Sequence, residues 1–279
     1  MILMRIVIAC GIFACAIASA SPYQMPNTES KILIDENTKR EYQLYIKLPE
    51  DYSENVSYPV VYLTDAWYTF PVVAGSVQVP MATERMKNVI VVGISRDLSI
   101  DRDTSRLRDF TPTTPESWER ESGEADLYHN FISNDVFNYI DSTYSTDKDQ
   151  RTYVGVSLGA LWGSYVLLKY PDTFSNYVLA SPALWFDDEY IFRLEQEYAK
   201  SNSDLKAKVY LSVGSLEVLK GEGFTLDMVS DSRKLYEALK SRQYNSLTIK
   251  NAVVDSANHE TAFPASSIMG LYWLFGNDN

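Results

Sequence analysis

Short, mostly apolar runs recur along the chain. Tyr58–Leu63, Asn88–Gly93, Thr152–Val156, Tyr177–Ala180, Val209–Val213 and Leu247–Val254 each read as a strand. A strand that shows no polar side has to be covered on both faces, which is the mark of parallel sheet inside an α/β protein. Helical periodicity fills the gaps. Ala125–Tyr144 sets Leu127, Phe131, Val136 and Ile140 close to one face, and Leu158–Tyr170 is apolar and stops at Pro171. Asp188–Lys200, Asp231–Arg242 and Thr261–Phe275 complete the helical set. Ahead of them, Ile32–Ile34 and the alternating Tyr42, Leu44 and Ile46 flank a turn at Asp35, which predicts an antiparallel hairpin at the start of the sheet. The expectation is an α/β fold in one domain, with a mostly parallel central sheet and helices on both faces. A length of 279 residues suits one large core.

The first residues have a different logic. Arg5, an apolar run from Ile6 to Ile17 and then Ala18-Ser19-Ala20 form the pattern of a cleaved signal peptide over residues 1–20. Residues 21–30 are polar and predict a flexible leader, with the folded domain over 31–279 and no membrane span in the mature chain. The protein is therefore expected to be exported, either periplasmic or secreted. Both cysteines, Cys10 and Cys15, fall inside the expected signal peptide. This leaves no disulfide framework, no cysteine nucleophile and no cysteine-based zinc site. A formal net charge of −12 argues against nucleic acid and anionic lipid as partners.

Gly155-Val156-Ser157-Leu158-Gly159 is a G-x-S-x-G sequence that directly follows an expected strand and directly precedes an expected helix. That context is what gives the pattern its meaning: a strand–turn–helix elbow lifts the serine hydroxyl to the carboxyl edge of the sheet. Serine needs a base to become a nucleophile, and the chain has two histidines. His259 lies in a polar loop after the last strand, where the α/β-hydrolase fold carries its base. His129 precedes the serine, inside a helix, and reads as structural. The fold's order is Ser, acid, His. Glu217, just past the strand Val209–Val213, is the acid favoured by its placement, with Asp227, Asp231 and Asp255 as competitors. An oxyanion hole needs backbone N–H donors, expected from Leu158 and from Ala66 or Trp67 in the loop after Tyr58–Leu63.

Further blocks surround this constellation: Leu48-Pro49 with Tyr52, Tyr58 through Asp65, Arg106-Leu-Arg-Asp109-Phe-Thr-Pro112, Tyr170-Pro171 through Phe174, and Ser181-Pro182 through Trp185. In these blocks the chain resembles the esterase family of α/β-hydrolases. That family includes siderophore, feruloyl and acetyl-xylan esterases, S-formylglutathione hydrolases and mycolyltransferases. The siderophore-esterase-like branch is the nearest in appearance. The resemblance spans nearly the whole expected mature chain. It implies Ser157, Glu217 and His259 as a triad acting on a small-molecule ester, with no cofactor. Two departures stand out. Asp65-Ala66 replaces the family's usual Asp-Gly, in the oxyanion loop, and Ala160 stands where a second glycine is common.

The stretch from Ser95 to Gly123, dense in arginine and aspartate, reads as an ordered loop near the site. Arg102, Arg106 and Arg108 either rim an anion site or pair with Asp101, Asp103 and Asp109; the acidic balance favours pairing. Arg106 and Trp185 are the candidate substrate contacts, with Trp67, Tyr68 and Phe186 as further pocket aromatics. No metal is expected from two distant histidines, no phosphate loop or dinucleotide fingerprint is present, and no obligate protein partner is evident. Acyl transfer from the same acyl-enzyme, and a non-catalytic binding protein on the same fold, are the alternative functions.

Overall fold

The computed structural model describes residues 22–221 and 224–277. The expected signal peptide lies outside them. The strands, in chain order, are β1 Thr28–Ile34, β2 Glu41–Lys47, β3 Tyr58–Leu63, β4 Ile90–Asp97, β5 Thr146–Val156, β6 Asn176–Ala180, β7 Ala207–Gly214, β8 Val218–Gly221, β9 Phe224–Asp227 and β10 Leu247–Val254. The α-helices are α1 Ala66–Ser76, α2 Gln78–Ala82, α3 Arg102–Phe110, α4 Ala125–Asn130, α5 Phe137–Thr143, α6 Leu158–Lys169, α7 Phe186–Ser201, α8 Met228–Ser241 and α9 His259–Phe275. A π-helical segment, Phe131–Val136, joins α4 to α5.

Eight strands form one sheet in the order β1-β2-β4-β3-β5-β6-β7-β10. The β1–β2 and β2–β4 pairs are antiparallel, and every other neighbour is parallel. This is the α/β-hydrolase fold. The apolar runs of β3 through β7 are the most continuous because each of those strands feeds two cores. Val60, Tyr62, Tyr153, Tyr177 and Leu179 point into one, while Val61, Leu63, Val154, Val178 and Ala180 point into the other. The first core is closed by Phe131, Trp162 and Phe186, and the second by Val73, Phe263 and Phe275.

Several elements differ from the sequence expectation. β1 begins at Thr28, inside the stretch read as leader. The Ser95–Gly123 stretch contains a helix, α3, rather than a loop alone. Its start is marked by Asp101, whose side chain caps the Thr104 N–H at 3.0 Å. Apolar periodicity could not reveal it, because the face it buries carries Ser105, Arg108 and Asp109 beside Leu107 and Phe110. Arg108 donates to Asp109 Oδ1 at 2.8 Å and to Asp97 Oδ2 at 3.1 Å. Tyr42 and Ser105 donate to Asp109 Oδ2 at 3.1 and 2.9 Å. Burial opposes the Arg108 charge, but these carboxylates outweigh it and raise its pKa. α1 carries Pro71 and is apolar all round, so it shows no amphipathic signal. α7 has left-handed backbone at Asp187, Asp188 and Glu189 before it becomes regular. The β8–β9 hairpin, directly after Glu217, was not anticipated. Among the described residues no helix is long and apolar enough to cross a membrane.

The Arg108 cluster yields a stability test. Arg108→Ala removes the cation hydrogen-bonded to both Asp97 and Asp109, leaving Asp109 only the longer Arg40 pair, and is expected to cost about 3–5 kcal/mol, read as a lower midpoint in urea denaturation.

Candidate active site

β5 ends at Val156 and α6 starts at Leu158, so Ser157 alone makes the turn. Its φ of 57° and ψ of −119° are costly for a non-glycine residue, on the order of 1–3 kcal/mol. Main-chain bonds hold it there. Ser157 N–H donates to Ala180 O at 3.0 Å, and its carbonyl accepts from Leu161 N–H at 2.9 Å and Ala183 N–H at 3.2 Å. The flanking glycines are demanded by close approach. A Cβ on Gly155 would stand 2.7 Å from the Gly159 carbonyl carbon, and one on Gly159 would stand 2.6 Å from Thr64 Oγ1. Buried Tyr153 ties these parts together. Its hydroxyl donates to Gly159 O at 2.7 Å, so at 2.8 Å it accepts the Thr64 hydroxyl proton.

Thr64 and Asp65 link β3 to α1. β3 and β5 are parallel neighbours, with Leu63 opposite Val154, so the N-termini of α1 and α6 open on the same sheet edge. The first-turn N–H groups of Ala66 and Trp67 on α1, and of Leu158 on α6, have no partner within their helices. Asp65 adopts φ 56° and gives its carboxylate to Arg106, whose Nε and Nη2 donate at 2.7 and 3.0 Å. Arg106, an expected substrate contact, is thus engaged in a forked pair that fixes the loop between β3 and α1. Arg108 is buried in its own network. Arg102 lies 3.9 Å from the Trp67 ring centroid and makes no ion pair among the described residues. Pairing therefore accounts for two of the three arginines, Arg106 with a partner, Asp65, that the sequence did not indicate. Trp67 is 59 % exposed and Trp185 41 %, so both present apolar surface around this edge.

The other half of the site comes from β7 and β10. Glu217 is buried, and its Oε2 lies 2.6 Å from His259 Nδ1. Its Oε1 accepts from Gly214 N–H and from Ser181 Oγ, both at 2.6 Å. Burial works against the Glu217 charge, but the bonds from His259, Ser181 and Gly214 prevail and hold the carboxyl below the usual glutamate range. Among the described residues, none of the competitors bonds to His259. Asp227 caps α8 through Ser230 at 2.9 Å, Asp231 lies on α8, and Asp255 accepts from Ser256 at 3.1 Å. His259 is the first residue of α9, set by a capping box between Asn258 and Thr261. Pro264 has no N–H to give the Glu260 carbonyl, and the Tyr68 hydroxyl donates to that oxygen at 3.3 Å. The His259 loop is thereby tethered to α1.

Among the described residues no hydrogen bond joins Ser157 Oγ to His259, whose Nδ1 faces Glu217. His129 lies elsewhere, buried on α4, stacked on Tyr170 at 3.9 Å with Nε2 2.9 Å from Thr173 Oγ1. Burial lowers its pKa. Ser181 is the site residue that sequence reasoning missed. It sat inside a recognised block, but nothing in its spacing tied it to Glu217. Among the described residues no group of acidic or histidine side chains has the arrangement of a metal site.

The family model described as "Putative esterase" matches residues 36–272. The chain belongs to this esterase family. The esterase is 29 % identical over 238 residues to the ferri-bacillibactin esterase BesA of Bacillus subtilis, covering 79 % of this chain and 80 % of BesA. It superposes on the BES protein from Bacillus cereus with a TM-score of 0.80 at 25 % identity, over 91 % of this chain and 96 % of that one. The siderophore hydrolase EstA from Aspergillus nidulans has the same fold, with a TM-score of 0.77 at 20 % identity, covering 92 % and 97 % of the two chains.

Two outcomes are expected of the esterase. Because the folded pKa of Glu217 is depressed, its ionised form contributes stability above the unfolded value, about 4.3. That contribution is lost as pH falls through the folded value. Glu217→Gln should therefore be most destabilising near neutral pH and converge on the parent in acid, read from urea midpoints across pH 7 to 3. Gly214→Ala would drive a Cβ into the Ala257 carbonyl oxygen and to 3.0 Å from Glu217 Oε1. It should cost about 1–3 kcal/mol in thermal denaturation and lower turnover with it.

Proposed function

We propose that this esterase cleaves carboxylic esters through an acyl-enzyme, with Ser157 as nucleophile, His259 as general base and Glu217 as the acid that orients it. The 2.6 Å pairing of Glu217 with His259, on the sheet edge that carries the strained Ser157 elbow, is the observation that supports this reading. Ionised Glu217 only accepts, so Nδ1 carries the ring proton and Nε2 is left to act as base. In this scheme Nε2 takes the Ser157 proton as Oγ bonds to the ester carbonyl carbon and the carbonyl electrons move onto oxygen. The N–H of Leu158, with that of Ala66 or Trp67, stabilises the oxyanion. Collapse breaks the bond to the alcohol, which leaves with the proton from His259. Water then repeats the sequence on the acyl-enzyme and releases the acid.

We further propose a siderophore or related secondary-metabolite ester as substrate. The names of BesA and EstA support this, and so does the rim of the site. Trp67 offers an exposed indole with the Arg102 cation over its face, a surface suited to an aromatic, anionic group. Trp185 offers a second exposed ring. Export from the cytoplasm is part of the same proposal and rests on the N-terminal sequence alone.

Hydrolysis of a p-nitrophenyl ester panel by residues 21–279 tests the chemistry. Ser157→Ala and His259→Ala are each expected to lower kcat by a factor on the order of 10⁴ or more. Unchanged turnover in Ser157→Ala would remove Ser157 from the mechanism. A catecholate triester compared with p-nitrophenyl acetate tests the substrate class. Higher kcat/KM on the triester, and a raised KM in Trp67→Ala, are expected.

A further inference from the structure

Two strained turns lie side by side at the carboxyl edge of the sheet. Ser157 has φ 57° after β5, and Ser181 has φ 46° after β6. The segment 180–183 reaches both halves of the site. Its main chain clamps the nucleophile, Ala180 O accepting from Ser157 N–H and Ala183 N–H donating to Ser157 O. Its one hydroxyl, on fully buried Ser181, donates to Glu217 Oε1 at 2.6 Å. Ser181 N–H in turn extends the β6–β7 ladder to Ser212 O at 2.7 Å, which fixes where that hydroxyl stands.

A carboxylate on a free side chain can present either oxygen and can rotate about its last bond. Glu217 is denied that freedom. Oε1 is saturated by Ser181 Oγ and Gly214 N–H, so Oε2 alone faces His259. The Gly214 donor belongs to the same tight turn as Glu217, whose N–H returns to Gly214 O at 3.1 Å, so it moves with the acid. Ser181 is the donor anchored outside that turn, on the segment that holds Ser157.

We propose that Ser181 is a positioning residue for the hydrolytic reaction. It fixes the rotation of the Glu217 carboxylate and couples the acid–base pair to the nucleophile elbow through the 180–183 turn. This rests on the triad reading above. Ser181 touches neither substrate nor the reacting atoms; it acts through Glu217 on the orientation of the His259 ring. The cost of losing it should appear in the chemical step, because the ring must both take and return a proton in one geometry.

The test is a double-mutant cycle on ester hydrolysis. Ser181→Ala removes the hydroxyl. Ser181→Gly does the same while suiting the left-handed backbone, so it should fold even where alanine is poorly tolerated. Both are expected to lower kcat about tenfold, the scale of one hydrogen bond to a charged group, with KM changed less than about twofold. In a Glu217→Gln background, itself reduced in kcat, either substitution should lower kcat by less than about twofold. A tenfold loss that persists undiminished in that background would assign Ser181 to scaffold alone and overturn the proposal. So would full activity of folded Ser181→Gly beside an impaired Glu217→Gln. Full activity of Glu217→Gln would instead overturn the triad reading, and this inference with it.

Discussion

A carboxylate withdrawn from water must find donors or give up its charge, and the site is arranged around how Glu217 meets that requirement. Its burial would favour the neutral acid. Bonds from His259, Ser181 and Gly214 reverse that preference. Each donor comes from a different strand end: Ser181 from β6, Gly214 from β7 and His259 from beyond β10. The loops that carry them are laced together by main chain, with Leu216 N–H on Ala257 O and Ser215 N–H on Val254 O, both at 2.9 Å. Displacing any of these loops would leave a buried charge short of a partner, and this is what makes the arrangement stiff.

The Ser157 side depends first on close approach. Gly155, Gly159 and Thr64 pack too tightly to admit another Cβ, and Tyr153 bridges them from below. That packing offsets the backbone strain at Ser157. It also brings the start of α1 against the elbow, where the Asp65–Arg106 fork locks it. A parallel sheet makes such convergence possible, since it brings the carboxyl ends of β3, β5, β6, β7 and β10 to one edge. An antiparallel arrangement would have sent alternate ends to opposite sides.

Much of this was legible in the chain. The apolar runs specify the parallel strands because a strand covered on both faces cannot afford polar alternation. The elbow follows from glycines placed between a strand and a helix. His259 follows from chain order, since His129 precedes the serine. Glu217 was only one of four acidic candidates, because placement after a strand does not say which carboxylate reaches the ring. The helix α3 was missed because Arg108 and Asp109 are buried as an ion pair, which leaves no apolar stripe to read.

The sequence by itself thus determined the fold class and the strand–turn–helix elbow at Ser157, and it singled out His259 by chain order, all through local patterns. Only the tertiary structure decided which carboxylate pairs with His259, that Arg106 locks Asp65 while Arg102 stacks on Trp67, and that Ser181 bonds to Glu217. These are contacts between residues 35 to 42 positions apart in the chain, and for Arg106 also a choice among several nearby carboxylates. No periodicity encodes such choices. They are made when β-strands distant in sequence become neighbours and bury the groups at their ends together.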